Sequence, residues 1–357
     1  MRHAKYDITN EKRKNMSEKI LLSSEKKQFK ANLHCHSTHS DGKLSPEELK
    51  AAYKSRGYDI LAITDHCNPN DYTAMSDPDF MMLTGYEAYI RPTDGKSCPY
   101  KGEVHLNLFA RDPHNQKFIN FNSGFCKYLS DEEKEKLDRV GSERPREYTT
   151  EYINEFIRTA IENGYLVSYN HPFWSMESEE RVLSYENFFS VEIYNTGSYR
   201  LNGLENGEGI YDKMLRKGMH VGCHGADDNH NKEPLDDPDS DSFLAHTRIL
   251  ADKLEYGAII DALDKKEYYA SNGPEIQEIA LVETEEGRFV RVKCSPAKRV
   301  FLFMGSKSTK HATARNGELL TEVMLPLAKK ARYIRVSVCD ADGERASSRG
   351  YFPEEWG

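Results

Sequence analysis

Between residues 28 and 270 short apolar runs alternate with helical stretches, and several of the runs end in a side chain able to bind a metal ion. The clearest is His34-Cys-His36-Ser-Thr-His-Ser-Asp41-Gly, followed later by Thr64-Asp65-His66. In a strand, residues i and i+2 share a face. His34 and His36 therefore project together, while Leu33 and Cys35 point into apolar surroundings. Asp41-Gly42 is a turn sequence that can fold a carboxylate back onto the same spot. The backbone must be extended here, and the fold must tolerate a cluster of imidazoles and carboxylates.

The candidate strands are Phe29–Leu33, Ile60–Ile63, Met81–Tyr86, His105–Phe109, Leu166–Tyr169, Ser190–Tyr194 and Met219–Cys223. Helical patterns lie between several of them. Ser45-Pro-Glu-Glu opens one, with Ser as N-cap, Pro at the first position and acids in the first turn. Thr149–Asn163 is a second, closed by Gly164, and Ile210–Lys217 is a third, closed by Gly218. Such alternation implies an α/β fold with a parallel sheet, and about seven repeats suggest a closed barrel. Residues 110–148 interrupt the rhythm with polar sequence, read either as a solvated excursion or as a lid over the barrel mouth. Residues 231–243 read as an exposed loop. After Gly273-Pro274 short strands separated by turns replace the helices, which predicts a small C-terminal β-sandwich. The expected division is a tail over 1–27, a barrel over 28–272 and a sandwich over 273–357.

The 357 residues are 38% hydrophobic and 30% charged, which fits a globular chain with a sizeable core. A formal charge of −9 argues against long nucleic acid as a partner. A small anionic substrate stays possible where bound cations reverse the local sign. Seven scattered cysteines without Cys-x-x-Cys spacing read as reduced thiols of a cytoplasmic protein. No apolar run reaches the roughly 20 residues that would span a bilayer, so no membrane partner is expected.

Ligand-type residues gather at the run ends: His34, His36, His66, Glu87, His171, Asp228 and His230, with Asp41 in the first loop. His105 stands at the start of its run, so its placement is the least determined. Imidazoles suit zinc and iron, and carboxylates suit manganese or bridge two ions. Nine positions are too many for one ion and suit two or three divalent ions.

These motifs, His34-x-His36-x-x-x-Ser-Asp41-Gly, Thr-Asp-His66, Gly-Tyr-Glu87, Val-His105-Leu, Asn-His171-Pro and Asp228-x-His230, resemble the polymerase-and-histidinol-phosphatase (PHP) family of metal-dependent phosphoesterases. Tyr269-Ala-Ser-Asn-Gly-Pro and Tyr333-Ile-Arg-Val before Asp340-Ala-Asp-Gly resemble its two-domain carbaryl-hydrolase-like (CehA/McbA) branch. The resemblance implies a distorted (β/α)7 PHP-type barrel holding up to three Zn, Mn or Fe ions. It places His34, His36, Glu87 and Asp228 on the first ion and Glu87, His105 and His171 on the second. Asp41, His66 and His230 fall on the third. Asp227 adjoins Asp228, and Asp228 is preferred because Asp-x-His keeps both side chains on one face.

The implied activity is hydrolysis of a small phosphorylated metabolite or nucleotide, with a metal-activated hydroxide as nucleophile. Asp41, His230 and His39 are the candidates for proton handling. Arg91, Asn195, Arg200 and Trp174 are the candidates for substrate contact. The rival readings are a carbamate, ester or amide hydrolase with the same metal centre, and a binding module with an inactive barrel. Asp65 is expected to orient a neighbour or cap a turn. Lys329-Lys330 with Arg332 reads as a solvated edge.

Overall fold

The computed structural model describes residues 17–92, 102–307 and 309–357. Two sheets carry the ligand-type residues. One has five strands in the order Gly222–Ala226, Ser190–Asn195, Tyr165–Tyr169, Val104–Ala110 and Gly85–Ile90. The other has nine strands and contains the neighbours Lys27–Asn32, Ile60–Ala62 and Met81–Leu83. Every residue of seven of these eight strands is buried, the exception being Lys27–Asn32. Burial on both faces is what continuous apolar runs predict.

The expected closed parallel barrel is not what the ladders form. Among the described residues the sheet edges meet only through isolated bridges, Cys35 with Asn229 at one side and His66 with Glu87 and Asn70 with Gly85 at the other. Val104–Ala110 also runs antiparallel to both of its neighbours. That reversal brings the start of this strand, with His105, to the end of the sheet where the other strands finish. The expected Met81–Tyr86 strand is two strands broken at Thr84, the second turning into the other sheet. Met219–Cys223 is displaced to Gly222–Ala226, whose sequence Gly-Cys-His-Gly-Ala has little β-propensity of its own.

The helices lie where their caps place them. Pro46–Ser55 has a full capping box between Ser45 and Glu48, and Thr150–Glu162 is capped by Thr149. Glu208–Lys217 stops at Gly218, which has φ 88°, a conformation glycine adopts without strain.

Beyond Gly273 two antiparallel layers share one apolar cluster that includes Ile279, Leu281, Val290, Val300, Leu302, Val336 and Val338. One layer gains a strand from the N-terminal region, because Ser17–Leu22 pairs with Ile276–Thr284. This stretch is therefore a sheet edge, not a loose tail; residues 1–16 lie outside the described residues. The other layer continues through Arg345–Ser348 and Tyr268–Ser271 into the nine-stranded sheet. An ion-pair network adds to the join. Arg335, 2% exposed, reaches Asp212 at 3.3 Å and Glu208 at 3.7 Å on the Glu208–Lys217 helix. The six described cysteines are free, and no helix among the described residues is long and apolar enough to cross a membrane.

His246 lies buried in the strand His246–Ala251, with Nδ1 2.9 Å from the Leu244 carbonyl. Burial, helped by Lys30 and Arg248, pushes its imidazole down to about 3. Its folded value is below its unfolded value, so acidification protonates the unfolded chain first. The stability this group contributes is complete above about pH 6.5 and is lost as pH falls towards 3. Wild type should lose about 2 kcal/mol more than His246→Gln between pH 7 and pH 5, read by urea unfolding. Equal losses would remove His246 from the account.

Candidate metal centre

The first ligand loop is built around one tight turn. Gly42 N–H donates to the Ser37 carbonyl at 3.0 Å. A Cβ on Gly42 would lie 2.1 Å from the His36 carbonyl oxygen, so only glycine fits. The turn carries Asp41 back over His36, with His36 Nδ1 3.9 Å from its Oδ1. Asp65 fastens the loop from beneath, accepting hydrogen bonds from Ser37 N–H, Ser37 Oγ and Ser40 Oγ at 2.8, 2.7 and 2.6 Å. This is the orienting role expected of it.

Glu87 sits at the centre. Its Oε1 is 3.2 Å from His34 Nε2, 2.9 Å from His105 Nδ1 and 3.6 Å from His171 Nε2. Its Oε2 is 2.8 Å from His66 Nδ1 and 3.6 Å from His36 Nε2. Asp228 closes the other side, with Oδ1 3.2 Å from His34 Nε2 and 3.1 Å from His36 Nε2. His230 Nε2 lies 3.4 Å from Asp41 Oδ1, and His66 Nε2 lies 3.7 Å from Asp41 Oδ2. All nine expected side chains fall into four overlapping groups whose donor atoms lie within 4.8 Å of one another. These are His36, Asp41, His66 and His230; His34, His36 and Asp228; His34, Glu87 and His171; and His66, Glu87 and His105.

Whether these residues fit cations is answered by their own unmet needs. Glu87 Oε2 and His66 Nδ1 lie 2.8 Å apart but out of line for a hydrogen bond, and both, with Asp41 Oδ1, are buried with no hydrogen-bond partner among the described residues. A buried carboxylate oxygen without a donor is costly unless a cation satisfies it. The donors are all imidazole nitrogen and carboxylate oxygen, with no thiolate, which suits exchangeable divalent ions more than a closed structural zinc site. Two of the residues sit in the left-handed region, His171 at φ 24° and Asp228 at φ 54°, backbone strain of the kind that concentrates at functional sites.

Electrostatics bind the cluster to itself. Burial would raise the Glu87 carboxyl, yet His105, His34 and His66 hold it well below the carboxylate range. Burial would lower His105, and Glu87 instead raises it to about 10. His36 has the opposite balance: burial, with His230 and His66 beside it, pushes it down to about 4.

Residues 32–172 match the family model of the PHP domain. The matched stretch supplies seven of the nine side chains, and Asp228 and His230 come from beyond it. A 37-residue segment is 54% identical to a 5′-3′ exoribonuclease of Haemophilus influenzae, spanning 10% of this chain and 14% of that protein's length. Among solved structures, one similar chain is a two-domain protein containing a predicted PHP-like metal-dependent phosphoesterase from Bacteroides vulgatus. It is 14% identical, with 94% of this chain and 97% of that one covered and a TM-score of 0.45. Another is an amidohydrolase from Chromobacterium violaceum with bound sulfate, 14% identical over 67% of this chain and 96% of that one, at a TM-score of 0.41.

The cluster of the PHP-matching region opens into a cavity of about 390 Å³. Arg91 and Trp174 line it as expected, Trp174 packing edge-on against His105 and His171. The 110–148 insertion does reach the mouth, where Lys127 and Tyr128 join the lining and Tyr128 stacks on His66. Three expected contacts are placed elsewhere. His39 is turned to the Tyr72 hydroxyl at 2.7 Å and does not line the cavity. Arg200 clamps the 231–243 loop through the carbonyls of Ser240 and Ser242. Asn195 donates to Asp228 Oδ2 at 3.2 Å and to Glu192 Oε2 at 3.0 Å, so it positions a carboxylate. Asp227 faces away to Tyr53, Thr196 and two backbone N–H groups. The structure therefore turns Asp228, not its neighbour, towards the imidazoles.

Two contributors went unread in the sequence. Glu192, 1% exposed, accepts from His171 N–H at 2.9 Å and lies 3.2 Å from His34 Nδ1. Its signal is a lone carboxylate inside the apolar run Ser190-Val-Glu-Ile-Tyr. Ser198 lines the cavity with its hydroxyl buried and unpartnered among the described residues. Partners that fix a ligating imidazole are worth about 10–100-fold in metal affinity. Glu192→Gln should weaken metal binding by about that factor in a chelator competition. An unchanged affinity would reduce Glu192 to a packing role.

Proposed function

We propose that this chain is a metal-dependent phosphoesterase acting on a small phosphorylated metabolite or nucleotide. One observation carries the reading: seven side chains of the nine-residue imidazole and carboxylate cluster, all but His34 and His36, line a cavity that also exposes Arg91, Lys127 and Lys232. Those three side chains make no hydrogen bond or ion pair with the described residues, in a chain with an excess of acid. Cations with no acid partner among the described residues, Arg91 and Lys127 resting over the Tyr89 ring at 5.6 and 5.8 Å, favour a substrate that is itself anionic.

His34, His36, Glu87 and Asp228 would hold one ion, Glu87 with His105 and His171 a second, and Asp41, His66 and His230 a third. When bound, two or three divalent ions such as zinc, manganese or iron would polarise a phosphoryl oxygen and lower the pKa of water. The protein's own residues do the rest. Glu192 and Asn195 fix the orientation of His34, His171 and Asp228. Arg91, Lys127 and Lys232 draw the phosphate in, and Tyr128 and Trp174 exclude water from its far side. Asp41 and His230, paired at the cavity wall, are the groups placed to hold a proton near a leaving oxygen. In this reading residues 28–272 form the two-sheet α/β unit that carries catalysis, and residues 273–357 form a sandwich that braces it.

The carbonyl-directed reading, drawn from the carbaryl-hydrolase-like branch, has its own support in Tyr128, Trp174 and Leu201, which give the cavity an apolar wall. The cations discriminate. Lys127→Ala and Lys232→Ala should each raise KM for a phosphomonoester by about 10-fold, the worth of one charge-assisted hydrogen bond, and leave an aryl carbamate unaffected. Equal effects on both substrates, or none on the phosphomonoester, would favour the carbonyl reading.

A further inference from the structure

The formal charge of −9 conceals a strong segregation. Between Gly287 and Cys339 the chain carries twelve Lys and Arg against two Asp and Glu, a local charge of +10. Four of the twelve are committed to acids: Arg288 to Glu283, Arg291 to Glu18 and Glu278, Lys293 to Glu278, and Arg335 to Glu208 and Asp212. The remaining eight make no ion pair with the described residues, and all but Lys310 are exposed.

Most of these free cations follow one hairpin. Arg299–Phe303 pairs with Lys310–Thr313 on one side and Arg335–Cys339 on the other. Lys298, Arg299 and Arg315 cluster at one end, where Lys298 N–H donates to Cys339 and Ala314 N–H donates to Lys298. Lys307 and Arg332 mark the other end, where Arg332 N–H donates to Met304 at 3.1 Å. The strand between them spans about 15 Å. Along it Val300 and Leu302 are buried, while Arg299, Phe301 and Phe303 take the opposite face. Phe301 is half-buried opposite exposed His311, ring centroids 6.2 Å apart.

Protection of a sheet edge explains Lys310 alone, since Lys310–Thr313 is the terminal strand of its sheet. Arg299 lies on the next strand inward and the other cations lie in turns, where no edge needs guarding. A row of unpaired cations with a half-exposed aromatic beside it matches what single-stranded nucleic acids require: charge to follow the backbone and a ring on which a base can stack.

We propose that the Arg299–Phe303 hairpin is a docking track for short single-stranded nucleic acid. The row also ends on the cavity side. Across the sheet Arg299 pairs with Cys339, Cys339 with Arg345, Ala346 with Ser271, Ser271 with His246, and Thr247 with Ala31, so the Arg299 end shares the end of the sheet at which the strand leading to His34 finishes. A strand on the track would thus run towards the metal cluster. Binding at the track does not depend on the phosphoesterase reading, although the two together name an oligonucleotide as substrate.

The test is fluorescence anisotropy of a labelled oligothymidylate of about twelve nucleotides against the full chain, in chelator, over a range of salt. Wild type should bind at low salt, with log Kd rising steeply with log salt. Lys298→Glu/Arg299→Glu/Arg315→Glu should bind at least about 10-fold more weakly, and its salt slope should be lower by about 2, near 0.7 for each lost phosphate contact. Lys307→Glu/Lys310→Glu, at the far end, should show a smaller loss of the same kind. Both variants should melt as wild type does and should turn over a small phosphomonoester at the wild-type rate. Undetectable wild-type binding, binding unchanged by both reversals, or tighter capture by phosphatidylserine vesicles than by the oligonucleotide would overturn the proposal. Phosphomonoester turnover is read separately, so failure of the track and failure of the phosphoesterase reading are distinguishable.

Discussion

Glu87→Gln is expected to lower kcat by about 10³-fold or more and to reduce the metal content of the purified protein by at least one ion per chain. The reason is position more than charge alone. Glu87 has five imidazoles within 3.6 Å of its two oxygens, and Asn170 Nδ2 donates to Oε1 at 2.8 Å. Glutamine keeps the shape and one oxygen but replaces the other with an N–H₂ that points hydrogens at nitrogens which need lone-pair company. KM should change little, because Arg91, Lys127 and Lys232, the residues proposed to receive the phosphate, are separate from Glu87. Circular dichroism would show the fold retained. A Glu87→Gln protein with its full metal complement and near-native turnover would remove the carboxylate from the centre of the site.

Arg335→Met should cost about 3–5 kcal/mol of stability, the largest structural effect expected of any single substitution outside the cluster. The guanidinium is fully buried and reaches Asp212, Glu208 and the Ser347 hydroxyl. Burial alone would raise the Glu208 carboxyl, and Arg335 is the main influence holding it down. Deleting the cation removes the one buried counter-charge of the network and leaves Glu208 to the partly exposed Arg345 at 3.0 Å and Asp212 to the exposed Arg216 at 2.9 Å, which is the costly way to break such a group. A second change, Glu208→Gln, should recover part of the loss in a double-mutant cycle. The network also touches the site, since the Tyr194 hydroxyl donates to Glu208 and Asn195 follows directly. Urea unfolding reads the cost. A loss below about 1 kcal/mol would mean that the join between helix and C-terminal sheet depends on its apolar contacts alone.

The ligand set was legible in the sequence because it rests on local rules. Same-face spacing paired His34 with His36 and turn chemistry returned Asp41, whereas Asp228 lies past the end of Gly222–Ala226 at φ 54°, so its turn and not strand alternation aims it at the imidazoles. What escaped was set by long-range pairing. The reversal of Val104–Ala110 cannot be read from its own residues, so His105 seemed to stand at the wrong end of its strand. Gly222–Ala226 becomes a strand because Ser190–Asn195 offers it a partner, not because its residues favour extension. Arg200 and Asn195 carry the right chemistry for substrate contact but face a loop and a carboxylate instead, a distinction of side-chain direction that sequence does not hold. Glu192 is illegible in the sequence for the converse reason. It lies inside an apolar run, where a single acid signals a buried partner only once the facing strand is known. The closed barrel was inferred from the rhythm of strands, and the break at Thr84 and the bridge-only edges are the departures that rhythm does not reveal.

The central claim is tested most directly by elemental analysis of the purified chain, coupled to turnover of a phosphomonoester, a phosphodiester and an aryl carbamate on the same preparation. The account predicts two or three zinc, manganese or iron ions per chain, release of phosphate, loss of turnover on chelation and its return on adding back the metal. Turnover that persists in metal-free protein, or bound metal with carbamate cleavage and no phosphate release, would contradict it.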